Sequence, residues 1–272
     1  MSKTPSKWSD LAVRGGSAVV LAPLALGAVW AGGYWYSVFV ILLGILIARE
    51  WTMIVHAGDS KQFLLHSAAA LIAATAIGPV EMVVIVVLAL ASVALVISTK
   101  QPKSIWGFIG VPYVALPILA LSVLRADDIR GLQAIVWCLV IVWSADSLAY
   151  FAGRIIGGPK LAPKLSPKKT WAGMGGAIVG AALASLACSA YFGLNYAVLA
   201  ALAAQFAIVE QGGDIFESAL KRHFGVKDSG DLIPGHGGVL DRVDGLLAVV
   251  LIAALVGFLH NPDMPAAGLL RW

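Results

Sequence analysis

The sequence is poor in charged residues and in cysteine. Charged residues make up 12% of its 272 positions, whereas soluble domains carry about 25%. Only two cysteines are present, Cys138 and Cys188, and both stand inside apolar runs. They show neither the spacing of a metal site nor a disulfide framework. We therefore expect both to be packing residues.

Apolar residues dominate what is present. Hydrophobic residues account for 60% of the chain, and the mean hydropathy is +0.88. A soluble protein built from apolar repeats is the alternative to a membrane protein. It is disfavoured because several apolar runs approach the roughly 20 residues that a helix needs to cross a bilayer.

We predict an all-α, polytopic integral membrane protein with about nine transmembrane helices. Lys3, Lys7 and Arg14 precede the first apolar run as in a signal peptide, but so many apolar segments follow that we expect an uncleaved first span. The predicted spans cover residues 16–31, 34–48, 62–77, 80–97, 104–124, 131–152, 171–192, 195–220 and 245–260.

The basic residues predict the orientation of these spans. With the N-terminus in the cytoplasm, all of the 19 lysines and arginines except Arg125, Arg130 and Arg271 fall on the inside. Such a bias is typical of cytoplasmic loops. It favours an odd number of spans and a C-terminus on the outside.

Polar content divides the chain into two parts. Residues 1–130 have short loops and are expected to be a scaffold of transmembrane helices. Residues 131–272 are expected to be a catalytic region, with long, charged cytoplasmic loops at 153–170 and 221–244. The segment GAIVG at 176–180 favours close helix packing.

Three carboxylates fall within or at the ends of apolar runs: Asp146, Glu210 and Asp214. An aspartate at the centre of a bilayer costs roughly 2.5–3.5 kcal/mol. Such side chains therefore tend to face a polar cavity, although each of these also stands near an inside end and could simply meet interfacial water.

Helical spacing places polar residues on two faces. Asp214, Glu217, Ser218 and Lys221 follow one face of a helix, and Asp146, Tyr150 and Gly153 follow one face of another. We expect these two polar stripes to line one cavity that opens to the cytoplasm.

The segment SPKKT at 166–170 predicts an anion site. Ser166 is suited to cap a helix and Pro167 to be its first residue. Free N–H groups would then lie beside Lys168 and Lys169, where a phosphate would be favoured. The alternative is contact with anionic lipid headgroups, worth about 1 kcal/mol per basic residue.

The loop KDSGDLIPGHGGVLDRVDG at 227–245 predicts a metal and phosphate site. Asp241 and Asp244 stand one helical turn apart at the start of the last span, and Asp214 ends the preceding one. Carboxylates brought together repel one another unless a cation joins them. Mg2+ suits such a site, since it takes one or two carboxylates together with water and phosphate oxygens.

Nearby cations would hold the remaining phosphate charge: Lys221, Arg222, Lys227 and Arg242. A divalent metal and a cationic clamp are the equipment of phosphoryl or nucleotidyl transfer. The alternative is a solvated loop in which the aspartates and lysines neutralise each other.

The segment SALKRHFGVKDSGDLIPGHGGVLDRVD at 218–244 resembles the signature of the phosphatidate cytidylyltransferases, also called CDP-diacylglycerol synthases. It has Ser-x-apolar-Lys-Arg, a Lys-Asp pair four residues on, and His-Gly-Gly-apolar-x-Asp-Arg-apolar-Asp. DSLAYFAGR at 146–154 and LAPKLSPKKTWAG at 161–173 also resemble conserved blocks of this family. The resemblance covers about 146–245. Smaller or neutral residues are expected in this family at the position of Glu210, so the resemblance leaves the role of Glu210 open.

The resemblance implies that CTP and phosphatidic acid are converted to CDP-diacylglycerol and pyrophosphate with Mg2+; Mn2+ as a substitute or a second cation stays open. It implies a protein of a bacterial inner membrane with its active site facing the cytoplasm. Binding of nucleic acid is not expected, and a homodimer is compatible with the resemblance. Asp214 and Asp241 would hold the metal. Phosphates and substrates would be bound by Ser166, Lys168, Lys169, Lys221, Arg222, Lys227 and Arg242, with Asp146, Asp228, His236, Gly237, Gly238 and Asp244 completing the site.

Three questions stay open at the level of sequence. His236 is either an acid for the leaving pyrophosphate or a hydrogen-bonding residue that shapes the loop. A CTP-dependent polyprenol or phytol kinase would use the same metal chemistry, but the complete His-Gly-Gly to Asp signature disfavours it. A transporter of anionic metabolites would need polar groups across the whole membrane, whereas here they gather at one face.

Overall fold

The computed structural model of the protein describes residues 22–76, 78–98, 105–233 and 237–272. Helices dominate these residues, and one two-stranded antiparallel hairpin accompanies them. The elements in chain order are α1 (Ala22–Ala31), α2 (Gly33–His56), α3 (Ser60–Thr75), α4 (Val80–Ser98), α5 (Ile105–Ala126), α6 (Gly131–Ile155), β1 (Lys160–Ala162), β2 (Ser166–Thr170), α7 (Trp171–Phe192), α8 (Tyr196–His223), α9 (Leu240–His260) and α10 (Pro265–Leu270).

The prediction of an all-α polytopic membrane protein is confirmed in its main feature. Among the described residues, seven helices are long and apolar enough to cross a membrane, namely α2 and α4 to α9. Helix α3 has 16 residues and α1 is shorter still. The count of nine spans and the cytoplasmic N-terminus therefore stay predictions. Lys3, Lys7 and Arg14 lie outside the described residues.

The prediction that a helix begins at Ser166 is wrong. Ser166–Thr170 is a β-strand, and Ala162 pairs with Ser166 across the hairpin. Helix α7 begins only at Trp171, because the Thr170 hydroxyl accepts a hydrogen bond from the Gly173 amide at 3.0 Å and caps the helix there. Lys168 and Lys169 thus precede the cap on an extended strand.

Both charged loops are shorter than predicted. Helix α6 continues to Ile155, and α8 continues to His223, so Lys221 and Arg222 are helical. Helix α9 begins at Leu240, five residues before the predicted start of the last span at Gly245. The part of the second loop outside the helices is therefore confined to 224–239.

Close helix packing at the segment 176–180 is confirmed. A Cβ at Gly176 would lie 2.5 Å from the carbonyl oxygen of Leu148, and one at Gly180 would lie 2.7 Å from that of Ser144. Helices α6 and α7 therefore approach so closely that only glycine fits at these positions.

The helices pack together around a continuous apolar core. Helix α9 contacts α8 as well as α5 and α2, so the N-terminal and C-terminal helices share this core. Cys138 is buried and Cys188 half-buried, both as free thiols, in agreement with packing roles. The last turns of α2, α6 and α8 and the first turns of α7 and α9 meet at one end of the bundle, which positions the candidate site.

Candidate active site

Two adjoining polar clefts lie at this end of the bundle. The acidic cleft has a volume of about 450 Å³ and the lysine cleft one of about 490 Å³. Asp146 and Asp214 line both clefts. The acidic cleft is lined by Asp146, Asp214, Glu217, Lys221, Asp228, Asp241, Arg242 and Asp244. The lysine cleft includes Lys168, Lys169, Tyr150 and Gly153. The two predicted polar stripes therefore line one connected site, except for Ser218, which lines neither cleft.

Lys221 ties helix α8 to helix α9 in the acidic cleft. Its Nζ lies 2.5 Å from Glu217 Oε2, one turn earlier on α8, and 2.6 Å from Asp241 Oδ1 on α9. The Glu217 side chain is 1% exposed, and the Lys221 side chain 13%. The lysine is therefore held at a fixed place by two carboxylates rather than being free to sample the surface.

Asp241 also organises the loop before α9. Its Oδ2 accepts hydrogen bonds from the backbone amides of Ser229 at 3.0 Å and Gly238 at 2.9 Å. Gly237 has a φ of 81°, a conformation that favours glycine. A Cβ at Gly238 would collide with Ser229 Oγ and with a carboxylate oxygen of Glu50. The glycines therefore let the loop fold tightly against carboxylates.

The lysine cleft contains an ion pair between the hairpin and α8. Lys169 Nζ lies 2.7 Å from Asp214 Oδ2, and the lysine side chain is 13% exposed. The same Nζ also reaches the carbonyl oxygen of Gln211 at 3.4 Å. Lys168, the preceding residue on β2, is exposed at the rim of the cleft. Alternation along the strand thus separates the two lysines.

Small residues bring α8 and α9 together beside the acidic residues. A Cβ at Gly213 would lie 2.8 Å from the carbonyl oxygen of Asp244, and one at Gly245 would lie 2.9 Å from the Glu210 side chain. Because these glycines are sequence neighbours of Asp214 and Asp244, the close approach places both aspartates in the same cleft.

Glu50, near the end of α2, is a residue of the site that the sequence analysis did not identify. Its side chain accepts hydrogen bonds from the Ser229 hydroxyl at 3.0 Å and from the amides of Val239 at 2.8 Å and Leu240 at 2.7 Å. Glu50 is only 2% exposed. A carboxylate at these amides satisfies free donors at the start of α9 and is favoured by the helix dipole. The first part of the chain thus holds the loop that carries the motif.

Other predicted residues occupy the edges of the site. Arg222 is exposed, and one of its guanidinium nitrogens donates to the carbonyl oxygen of Val226 at 3.3 Å. In the described part of the chain, Arg222, Lys227 and Ser166 do not line either cleft. His236 lies outside the described residues. Glu210 is buried on α8 and accepts a hydrogen bond from the side-chain Nε2 of Gln211 at 2.8 Å.

The chemistry of the acidic cleft suits a hard divalent cation. Its oxygen donors are carboxylates from α6, α8, α9 and the loop between the last two. Within the described ranges, no three acidic, histidine or cysteine side chains already converge on one metal position. Mg2+ commonly takes one or two carboxylates and completes its shell with water and substrate phosphates.

Sequence spacing signalled Glu217 but not Glu50. Glu217 belongs to the predicted polar face of α8, where it pairs with Lys221. Glu50 follows a long apolar run as a single carboxylate, and this was its only signal. Its contacts with Ser229 and Leu240 join residues 179 and 190 positions away, which no local pattern encodes.

Comparison with known proteins agrees with this chemistry. The sequence model of the cytidylyltransferase family matches residues 12–260. The chain is 39% identical to a phosphatidate cytidylyltransferase of Brucella suis over 268 residues, which cover 95% of this chain and 98% of that protein. It is 36% identical to a phosphatidate cytidylyltransferase of Bacillus subtilis over 192 residues, 69% of this chain and 71% of the relative.

Proposed function

The chain belongs to the cytidylyltransferase family and is a membrane-embedded nucleotidyltransferase, and from this premise we propose that it converts CTP and phosphatidic acid to CDP-diacylglycerol and pyrophosphate. The observation that carries the proposal is the convergence of three basic residues and four aspartates on two joined clefts at one end of apolar helices: Lys169, Lys221, Arg242, Asp146, Asp214, Asp241 and Asp244. The names of the relatives from Brucella suis and Bacillus subtilis support it.

The reaction requires little covalent chemistry from the protein. A phosphate oxygen of the lipid attacks the α-phosphorus of CTP, the bond to the bridging oxygen breaks, and pyrophosphate leaves with that electron pair. A phosphate monoester is already anionic at neutral pH, so no base has to remove a proton from the nucleophile. The task is to bring two anions together in line.

Asp214 and Asp241 would hold Mg2+ in the acidic cleft, and the cation would neutralise charge on the phosphate oxygens. Asp214 contributes from α8, and Asp241 from the first turn of α9. Asp146 and Asp244 line the same cleft and would support the cation through water.

Three cations of the chain would hold the phosphates. Lys169 and Lys221 are positioned by the carboxylates beside them, at 2.7 Å from Asp214 and 2.6 Å from Asp241. Arg242 lines the acidic cleft from α9. Two lysines and an arginine, each on a different element, can surround a triphosphate and reduce its repulsion from the lipid phosphate.

The position of the clefts suits one dissolved and one lipid substrate. They lie at the ends of the apolar helices, where a nucleotide can enter from water and a headgroup from the bilayer. The excess of lysine and arginine on the same side supports a cytoplasmic orientation in a bacterial inner membrane. A homodimer is a further proposal, which crosslinking in native membranes would test.

The deciding experiment follows two labels with the purified full-length protein. CTP labelled at the α-phosphorus should transfer its label to lipid in the presence of phosphatidic acid and Mg2+, and EDTA should stop the transfer. CTP labelled at the γ-phosphorus should release its label only as pyrophosphate. Transfer of γ-label to lipid would indicate a kinase instead, and no transfer of either label would contradict both functions.

A further inference from the structure

An apolar cavity of about 370 Å³ adjoins the acidic cleft. Helices α1, α2, α5, α6 and α9 and the loop before α9 form its walls, with Ala25, Leu43, Leu139 and Leu246 among the lining side chains. Arg242 is the only charged side chain that lines it in the described part of the chain.

Arg242 belongs to both the acidic cleft and this cavity. Along α9, Asp241 and Asp244 line the cleft, whereas Val243 and Leu246 line the cavity. The first turns of α9 therefore separate a polar compartment from an apolar one, and an arginine stands at their junction. A ligand that fits both compartments carries an anionic group at one end and an alkyl chain at the other.

The walls of the cavity suit an alkyl chain. From Trp143 to Ile135 the lining follows α6 for about 12 Å, at about 1.5 Å per residue. The hydroxyl of Tyr36 donates to the carbonyl oxygen of Leu121 at 3.0 Å, so its polar atom is already satisfied within the protein. An occupant thus meets apolar surface, whose burial is favourable only for an apolar partner.

We propose that this cavity binds an acyl chain of phosphatidic acid while Arg242 contacts the phosphate. The inference rests on the proposed function and adds the location of the lipid tail. A second apolar cavity, of about 500 Å³ between α4, α5 and α9, has no lining residue in common with the acidic cleft. Among the described residues that line this second cavity, the charged one is Glu81, and its carboxylate would repel a phosphate.

The test narrows the first cavity and compares lipids of different chain length. Ala25→Phe fills the cavity from a half-buried position on α1, and Leu246→Phe does so from α9. The control is Ala254→Phe, which makes the same change as Ala25→Phe but in the second cavity, where Ala254 is also half-buried. CDP-lipid formation is measured with dioleoyl and dihexanoyl phosphatidic acid in neutral detergent micelles.

Ala25→Phe and Leu246→Phe should each raise the KM for the dioleoyl lipid about tenfold, or about 1.4 kcal/mol, and leave that for the dihexanoyl lipid within about twofold. Ala254→Phe should change neither. Retained turnover of the short lipid shows that a variant is folded. An equal response of both lipids in both cavity variants, or the same response from Ala254→Phe, would overturn the proposal. If the unaltered protein makes CDP-lipid from neither substrate, it is the proposed function that fails.

Discussion

At the scale of single residues, two lysines of the site are distinguished by their carboxylate partners. Lys221 is fixed by Glu217 and Asp241, and Lys169 by Asp214. Lys168 is exposed at the rim of the lysine cleft. Charge alone therefore does not decide which lysine matters, because the partners determine which ones are held where phosphates would bind.

The two lysines of the hairpin provide a matched comparison. Lys169→Met should lower kcat/KM for CTP about a hundredfold, because it removes a positioned cation and leaves Asp214 without its lysine partner. Lys168→Met should lower it less than about threefold, as for an exposed charge. Steady-state kinetics on both variants, with thermal unfolding as the folding control, makes the comparison. Equal losses would contradict the assignment of Lys169.

Glu50 should act as a positioning residue. Glu50→Gln keeps the shape of the side chain but replaces one of its two acceptor oxygens with an NH2 donor. That donor would face the Ser229 hydroxyl and two backbone amides, which donate to Glu50 in the structure. We expect it to cost about 1–3 kcal/mol of unfolding free energy and to lower kcat about tenfold or more, because the start of α9 would shift.

The control for Glu50 is Glu81→Gln, the same change at an exposed position in the first turn of α4. Glu81→Gln should leave the free energy of unfolding and kcat nearly unchanged. Glu50→Asp should recover part of the activity, since a carboxylate is retained. Unaltered kinetics and stability in Glu50→Gln would show that its contacts do not position the loop.

At the scale of elements, local sequence predicted where the helices lie better than where they begin and end. The long apolar runs of the sequence correctly located every described helix from α1 to α9, because a helix that crosses an apolar phase needs such a run. Pro167 suggested a helix start, but pairing between β1 and β2 overrode that local preference. The cap at Thr170 depends on this tertiary arrangement, which the sequence does not display.

The glycines of α7 give opposite predictions on the same helix. Gly176→Ala should lower the unfolding free energy by about 1–3 kcal/mol through overpacking, since its Cβ would lie 2.5 Å from the Leu148 carbonyl oxygen. Gly175→Ala should raise it by about 0.5–1 kcal/mol, because no atom lies within 4 Å of its Cβ position.

Thermal unfolding of both glycine variants in the same detergent measures this difference. Activity should fall with Gly176→Ala, because α6 carries Asp146 and α7 begins two residues after Lys169. If Gly176→Ala were as stable as Gly175→Ala, the close approach of α6 and α7 would not be required.

At the scale of the whole molecule, the site depends on helices distant in sequence. Alternation of apolar and charged segments predicted that polar groups gather at one end, because charge is costly within the bilayer. The approach of α2 to α9 could not be predicted, since Glu50 bonds Leu240 across 190 positions. The division at residue 130 stays a prediction, although Glu50 shows that the N-terminal part contributes to the site.

The arrangement of the whole bundle explains how two substrates from different phases could meet. The acidic cleft shares Arg242 with an apolar cavity, and it shares Asp146 and Asp214 with the lysine cleft. Lipid and nucleotide would therefore enter through different compartments and meet where Asp146, Asp214 and Asp241 line the cleft. Every other feature of the proposed chemistry depends on one condition. The aspartates of α8 and α9 must hold the cation that neutralises the substrate phosphates.

The most direct measurement of that claim is a Mg2+ titration of CTP-dependent CDP-lipid formation by Asp214→Asn and Asp241→Asn, with Asp263→Asn as the control at an exposed position outside the clefts. We predict that the first two variants remain folded in membranes but lose at least about a hundredfold in turnover, or about 2.7 kcal/mol, at every Mg2+ concentration. Asp263→Asn should retain normal activity. Near-normal turnover of Asp214→Asn or Asp241→Asn at saturating Mg2+ would contradict the account.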